Sequence, residues 1–271
     1  MSKKIKYKFG VMKMKLDLPK SMFSRITRAV VEFELIDEGD KILIGISGGK
    51  DSLFLTYAPA LLRERFKKKF SLSALTINPM FNDNFNVEAV TEFCRSLDID
   101  HVVEVVDIAS AIKAANKKPC FTCAYFRRAA MNRYANSIGA NKVAYAHHLD
   151  DAVETFLMSM LSSGQLNTFT PKTYLTRTGI TVIRPLVYLR ESEIAKFDRK
   201  NNFNIVKSPC PIDGTTNRQT VKDLIKSLEK QFPDLFSHLS SSIRKSALGD
   251  LWEAPKTRDQ MRSVYYSYLG R

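Results

Sequence analysis

The segment Gly45-Ile46-Ser47-Gly48-Gly49-Lys50-Asp51-Ser52 gathers the residue types that hold a polyphosphate. Two glycines let the backbone approach an anion closely. The start of a following helix aims unpaired N–H groups and a partial positive charge at it, and Lys50 adds a full charge. The hydroxyls of Ser47 and Ser52 can donate to phosphate oxygens. This is not a Walker A loop, because Ile44 stands where that loop has its first glycine and Asp51 replaces the hydroxyl that should follow the lysine. No G-x-G-x-x-G is present, which excludes a dinucleotide fingerprint. A glycine turn with a solvated Lys-Asp pair would fit the same spacing, but the strand before and the helix after agree with the loop.

A second constellation is Ala146-His147-His148-Leu149-Asp150-Asp151-Ala152-Val153-Glu154-Thr155. It follows an apolar run and opens a helical one, so its acids fall at the carboxyl edge of a sheet, where ligands bind in α/β folds. Paired acids at a helix start are equally ordinary capping chemistry. His147 and His148 suit proton shuttling or a structural role alike. A third constellation is Cys120-Phe121-Thr122-Cys123, with Cys210 far downstream. A C-x-x-C is compatible with zinc, a redox dithiol or an iron–sulfur cluster; three cysteines suit a cluster with one open iron, whereas a structural zinc normally wants four ligands. Cys94 lies in an apolar-periodic helix and reads as a small buried hydrophobe. Arg127, Arg128, Arg133 and Arg184 either face solvent or neutralise phosphate and developing charge.

These residues need a scaffold. Apolar runs at Lys41–Ile46, Leu72–Ile77, Val102–Val106, Val143–Ala146 and Ile180–Ile183 alternate with helix-patterned stretches around 50–65, 85–98, 121–138 and 150–161. That alternation predicts an α/β fold with a doubly wound parallel sheet. A helix over Ser21–Leu35 should lead into the first strand, and two more, broken near Pro233, should follow Gln219. The expected organisation is a basic arm at 1–20, the main domain at 21–218 and a C-terminal helical extension at 219–271.

Seven lysines at 3, 4, 6, 8, 13, 15 and 20 face one acid, Asp17, in the arm, and the whole chain of 271 residues carries a formal charge of +14. Such an excess favours a polyanionic partner through counterion release. No apolar run approaches the ~20 residues of a membrane span. The start MSKKIKYKFG holds no signal-peptide core. Cytoplasmic residence without membrane contact is therefore expected.

Ser47-Gly48-Gly49-Lys50-Asp51-Ser52 resembles the PP-loop of ATP pyrophosphatases, which split ATP between its α- and β-phosphates and transfer AMP to an oxygen. The second constellation resembles that family's other motif, with Ala146 where glycine is usual. The Cys120–Cys123 pair, Tyr125-Phe126-Arg127-Arg128, Ile183-Arg184-Pro185-Leu186 with Glu191 beyond, and Pro209-Cys210 follow in the order of the tRNA 2-thiocytidine synthetase group, from about Phe23 to about Ser246. The resemblance implies ATP and Mg²⁺ held by Ser47, Gly48, Gly49, Lys50, Asp51, Ser52, Ile77, Ala146 and Asp151. It also implies a 4Fe–4S cluster on Cys120, Cys123 and Cys210, and a catalytic set of Lys50, Asp51, Asp151 and Arg128. Asp213 stands where some members have a further cysteine. The implied partners are tRNA and a sulfur donor, either a cysteine desulfurase or free sulfide, with a homodimer among the allowed assemblies. The rival readings are a lysidine-type tRNA ligase, a cluster-dependent desulfidase and an RNA-binding protein with structural zinc.

Overall fold

The computed structural model describes residues 14–81, 87–115, 119–203, 205–206, 210, 217–245 and 257–262. Helix α1 (Lys20–Glu32) precedes β1 (Lys41–Gly45), α2 (Lys50–Arg65), β2 (Ser71–Asn78), α3 (Val87–Ser96), β3 (Asp100–Val105), α4 (Ile108–Ala114) and α5 (Pro119–Ser137). Then follow β4 (Lys142–Ala144), α6 (Leu149–Ser163), β5 (Lys172–Leu175), β6 (Ile180–Ile183), α7 (Glu191–Asn201), α8 (Asn217–Glu229) and α9 (Leu235–Lys245).

The strands form one sheet in the order β3-β2-β1-β4-β6-β5, parallel except for β5, which pairs antiparallel with β6. The two-residue period of β1 divides the core. Ile42 and Ile44 join a cluster with Met22 and Ile26 of α1, Phe54 and Leu61 of α2, and Ile194 and Phe197 of α7. Leu43 faces the other way, onto Met131 and Ala135 of α5 with Leu75 and Val143. Helices thus cover both faces, and the expected doubly wound α/β architecture is present. A third cluster joins α6 to α8 and α9 through Val153, Leu157, Val221, Ile225 and Phe236.

Three elements were not expected. β5 is a short edge strand whose one ladder runs along β6 and whose side chains are half-exposed, so it lacks an apolar signature. The seven-residue α4 is too short to show a period. In α7 only Ile194, Phe197 and Asp198 are buried among mostly polar residues. Before α1, Leu16 and Leu18 are buried and the backbone of Asp17 exchanges hydrogen bonds with the Tyr57 hydroxyl at 2.7 and 2.9 Å. The basic arm is therefore anchored at its inner end; its first thirteen residues lie outside the described ones, as does Asp213. Among the described residues no helix is long and apolar enough to cross a membrane.

Candidate active site

In a doubly wound sheet the crevice opens where the strand order reverses, beyond the carboxyl ends of the strands flanking that point. Here those strands are β1 and β4, paired through Ile42–Lys142, Leu43–Val143 and Ile44–Ala144. Their carboxyl ends lead into the segments 46–49 and 145–148, so the two constellations separated by a hundred residues of sequence become neighbours. At the opposite end the register is pinned by a buried cation: Lys142 Nζ lies 2.6 Å from Asp40 and 3.0 Å from Asp37.

The glycine loop is locked from within. Gly48 has φ +83°, and a Cβ there would stand 2.9 Å from Val206 Cβ and 3.1 Å from Val90 Cγ2. The next residue, Gly49, is the N-cap of α2 and offers no side-chain hydrogen bond to the helix start, which leaves the first amides of α2 available to an anion. Ser52 Oγ accepts from Ser47 N at 3.1 Å, contacts Ser47 Oγ at 3.1 Å and donates to Gly49 O at 2.8 Å. The two serine hydroxyls therefore hold the loop's shape as well as facing it.

Charge converges on this loop from three helices. Lys50 Nζ donates to Asp51 Oδ2 and to Glu191 Oε1, each at 2.9 Å, and Lys222 of α8 pairs with the other oxygen of Glu191. Burial pulls the Lys50 ammonium down, but the charge of Asp51 and the hydrogen bond to Glu191 outweigh it and its pKa is raised. Burial pushes Glu191 up, yet hydrogen bonds from Lys222 and Lys50 more than offset that and hold it at about 2. Asp51 Oδ1 is buried with no hydrogen-bond partner and lies 3.8 Å from His148 Nε2.

The second constellation does cap helices. His148 is the N-cap of α6, where its Nδ1 accepts from Asp151 N at 3.4 Å while Asp151 Oδ2 accepts from His148 N at 3.0 Å. Asp150 turns away and caps α7, accepting from Glu191 N at 2.7 Å and from Arg190 Nε at 3.0 Å. That contact places Glu191 beside Lys50. Asp151 Oδ1 takes Arg218 Nη1 at 2.6 Å, and Arg218 also reaches Thr155 at 3.2 Å. Buried Glu154 is pushed up to about 7 by desolvation and by the charge of Asp151. His147 is driven down to about 4 by burial, its ring lying 4.9 Å from that of Phe169. Ala146 and Ile77 are half-buried at the ends of their strand segments, packed on opposite core clusters.

The cysteines sit at the start of α5 and on the return from α7. Cys94 is fully buried and desolvation pushes its thiol to about 12, as befits a core residue. Cys120 is exposed, Cys123 and Cys210 half-buried. Burial raises the Cys123 thiol, and Cys210 and Cys120 are close enough to add like-charge repulsion while Arg127 opposes it. Among the described residues no three His, Cys, Asp or Glu side chains converge into a closed metal-binding set. Arg128 is exposed on α5, Arg133 pairs with Glu104, and Arg184 donates to Thr170 O at 2.6 Å while lying over the Phe169 ring. Arg218 and Lys222 were missed by sequence reading; a basic i, i+4 pair at the start of a helical stretch was the only signal they gave.

The PP-loop domain family model matches residues 20–228. The tRNA-cytidine(32) 2-sulfurtransferase of Geobacter metallireducens is 37% identical over 213 residues, covering 77% of this chain and 82% of that protein. The protein of the same name from Geobacter sulfurreducens is 36% identical over 219 residues, covering 79% and 85%. Among solved structures, the U34-tRNA thiolase NcsA from Methanococcus maripaludis with its 4Fe-4S cluster superposes with a TM-score of 0.69 at 20% identity, covering 93% of this chain and 88% of that one. This last likeness concerns the fold.

Proposed function

The chain belongs to the PP-loop family, among its tRNA 2-sulfurtransferases, and from that premise we propose how its own residues carry out ATP-dependent thiolation of a cytidine in tRNA. The observation that carries the reading is the convergence of Lys50, Lys222 and the open α2 start on one crevice, with three thiols on neighbouring segments.

ATP lies with its pyrophosphate portion over Gly48, Gly49 and the first amides of α2. Ser47 and Ser52 keep that cradle in shape. Lys50 and Lys222 exchange their shared carboxylate for phosphate oxygens as the nucleotide enters, so positive charge meets the leaving pyrophosphate. The orphaned Asp51 Oδ1 is the kind of hard oxygen that Mg²⁺ seeks, and Asp151 would supply a second such ligand from the facing loop. Both oxygens of Asp151 already accept a hydrogen bond, so Arg218 must yield or share Oδ1 when a cation is held. Ile77 and Ala146 border the crevice where the nucleoside rests.

The cytidine O2 attacks the α-phosphorus; the bond to the β-phosphate oxygen breaks, pyrophosphate leaves and an O2-adenylate remains. Positioning and charge neutralisation supply most of this step. A sulfur nucleophile then adds to C2, and the C2–O bond breaks to expel AMP. Arg128 stands on α5 to meet the charge that develops there. Cys120 and Cys210 each lie within electrostatic reach of Cys123, and three soft thiolates are a donor set that fits a 4Fe–4S cluster better than a four-ligand zinc site. When bound, the cluster supplies an iron free to carry sulfur. The sulfur comes from a cysteine desulfurase or free sulfide, in the cytoplasm, and a homodimer is among the assemblies this reading allows.

The test is an anaerobic assay of the full chain with MgATP, sulfide and unmodified tRNA. Pyrophosphate release should require tRNA, and digestion should yield 2-thiocytidine. Release with no thiolated nucleoside but with lysine incorporated into the tRNA would replace this reading with the ligase one.

A further inference from the structure

Helix α5 carries two ridges side by side. Cys120, Cys123 and Arg127 follow one another at i, i+3 and i+7; Phe121, Tyr125 and Arg128 follow at i, i+4 and i+7 on the next ridge. The second ridge is largely exposed. Phe121 is 55% and Tyr125 57% exposed, and Phe126, edge-on to Tyr125 at 5.5 Å between centroids, is 37% exposed. The inward positions Thr122 and Ala130 are buried, so the core face of α5 lies elsewhere.

Along the stretch of sequence that carries the rings the formal charge has one sign. Between Asp107 and Asp150 the sequence holds no acid, yet it carries Lys113, Lys117, Lys118, Arg127, Arg128, Arg133 and Lys142. Arg133 and Lys142 are neutralised by Glu104 and by Asp37 and Asp40; Arg128, on the aromatic ridge itself, is exposed. Exposed aromatic faces in a cationic field bind unpaired nucleotides, whose bases stack and whose phosphates meet the arginines. A paired stem offers no free base faces, and a second copy of this chain would bring the same positive field against itself.

We infer that Tyr125 and Phe121, with Arg128 beside them, form a stacking platform for unpaired bases of an RNA loop, which holds one nucleotide next to the thiols of the neighbouring ridge. The inference rests on the reading of the chain as a tRNA-modifying enzyme and adds to it the side chains that grip the RNA.

The experiment compares binding of two labelled RNAs to the full chain: a hairpin with a single-stranded loop, and a blunt duplex of equal length. Tyr125→Ala should weaken hairpin binding about 10-fold, as expected for one lost base–aromatic stack, and leave duplex binding unchanged. Because no phosphate contact is removed, the slope of log affinity against log salt should stay the same. Tyr125→Phe should restore hairpin affinity, and Phe121→Ala with Tyr125→Ala together should exceed either alone. Equal hairpin binding by wild type and Tyr125→Ala overturns the platform while leaving the enzyme reading intact. So does a shift from dimer to monomer in sedimentation velocity with RNA affinity unchanged, which would make the ridge a subunit contact. A wild-type chain that binds neither tRNA nor hairpin removes the tRNA reading itself, and this inference with it.

Discussion

Lys50 Nζ lies 2.9 Å from Glu191 Oε1, so the lysine of the glycine loop is held by a helix that begins 141 residues later. The pair makes an acid-sensitive joint. Glu191 sits at about 2 in the fold against 4.5 for the ordinary side chain. A depressed carboxylate contributes stability that is fully present above its unfolded pKa and is lost as pH falls through the folded one. In wild type this contribution, on the order of 3 kcal/mol before solvent screening is allowed for, should disappear between about pH 5 and 2. Glu191→Gln should flatten that part of a plot of denaturation midpoint against pH. An unchanged plot would show that the two lysines find other partners.

Asp198 works in the opposite direction. It is 1% exposed, neither carboxyl oxygen has a hydrogen-bond partner, and burial followed by the charge of Asp51 pushes it up to about 7. The unfolded group ionises near 3.8. Between the two values the folded state holds the extra proton, so rising pH destabilises the fold until both states are charged above about pH 7. Asp198→Asn should therefore raise stability at pH 8 by up to about 4 kcal/mol and by almost nothing near pH 4. Urea midpoints at the two pH values decide it; a gain of equal size at both would point to packing rather than charge.

Lys50→Ala and Asp51→Ala should each lower tRNA-dependent pyrophosphate release by about 10²–10³, the effect of losing roughly 2.7–4 kcal/mol of charge stabilisation in the transition state. Affinity for tRNA should hardly change, because neither side chain meets the RNA's long anionic surface. Full turnover in either variant would remove the residue from the nucleotide site.

Gly48→Ala meets two obstacles at once: a left-handed backbone at φ +83° and side chains of Val206 and Val90 inside contact distance. The backbone term alone costs about 1–2 kcal/mol. ATP binding, followed by calorimetry, should be lost. Adding Val206→Ala should recover little, because the strained φ remains and so does the Cβ of residue 206, the atom at 2.9 Å.

The full chain isolated without oxygen should be brown and carry about four irons with matching sulfide, and it should bleach in air. Serine at Cys120, Cys123 or Cys210 should remove colour and thiolation while leaving slow pyrophosphate release, because a hydroxyl is a poor substitute for a thiolate on iron. Cys94→Ser should keep the colour and lose only some stability, as its thiol is fully buried. If Cys94→Ser alone is colourless, the wrong three ligands have been chosen.

The fold was legible because β1, β2 and β4 are apolar runs followed by loop residues that announce themselves, and because the glycine loop has few other uses. The reach of α7 and α8 into the crevice was not. Glu191 occurs in a mostly polar stretch whose helix is fixed from outside, by Asp150 on its first amide. Arg218 acts through a partner 67 residues away, and such pairings leave no local period. The two acids of the second motif also divide their labour in a way that adjacency conceals, Asp150 anchoring α7 and Asp151 facing Arg218. The cysteine spacing alone left zinc, dithiol and cluster open, since ligand choice depends on how distant segments meet.

The pairing of Arg218 with Asp151 and of Lys222 with Glu191 makes the crevice depend on a helix synthesised after the other segments that line it. The glycine loop, the paired acids Asp150 and Asp151, Glu191 and all three exposed or half-buried cysteines precede α8 in the chain. Until α8 emerges from the ribosome, Asp151 lacks its arginine and Glu191 pairs with Lys50 alone. The charge balance of the nucleotide crevice is therefore completed only once translation has passed α8.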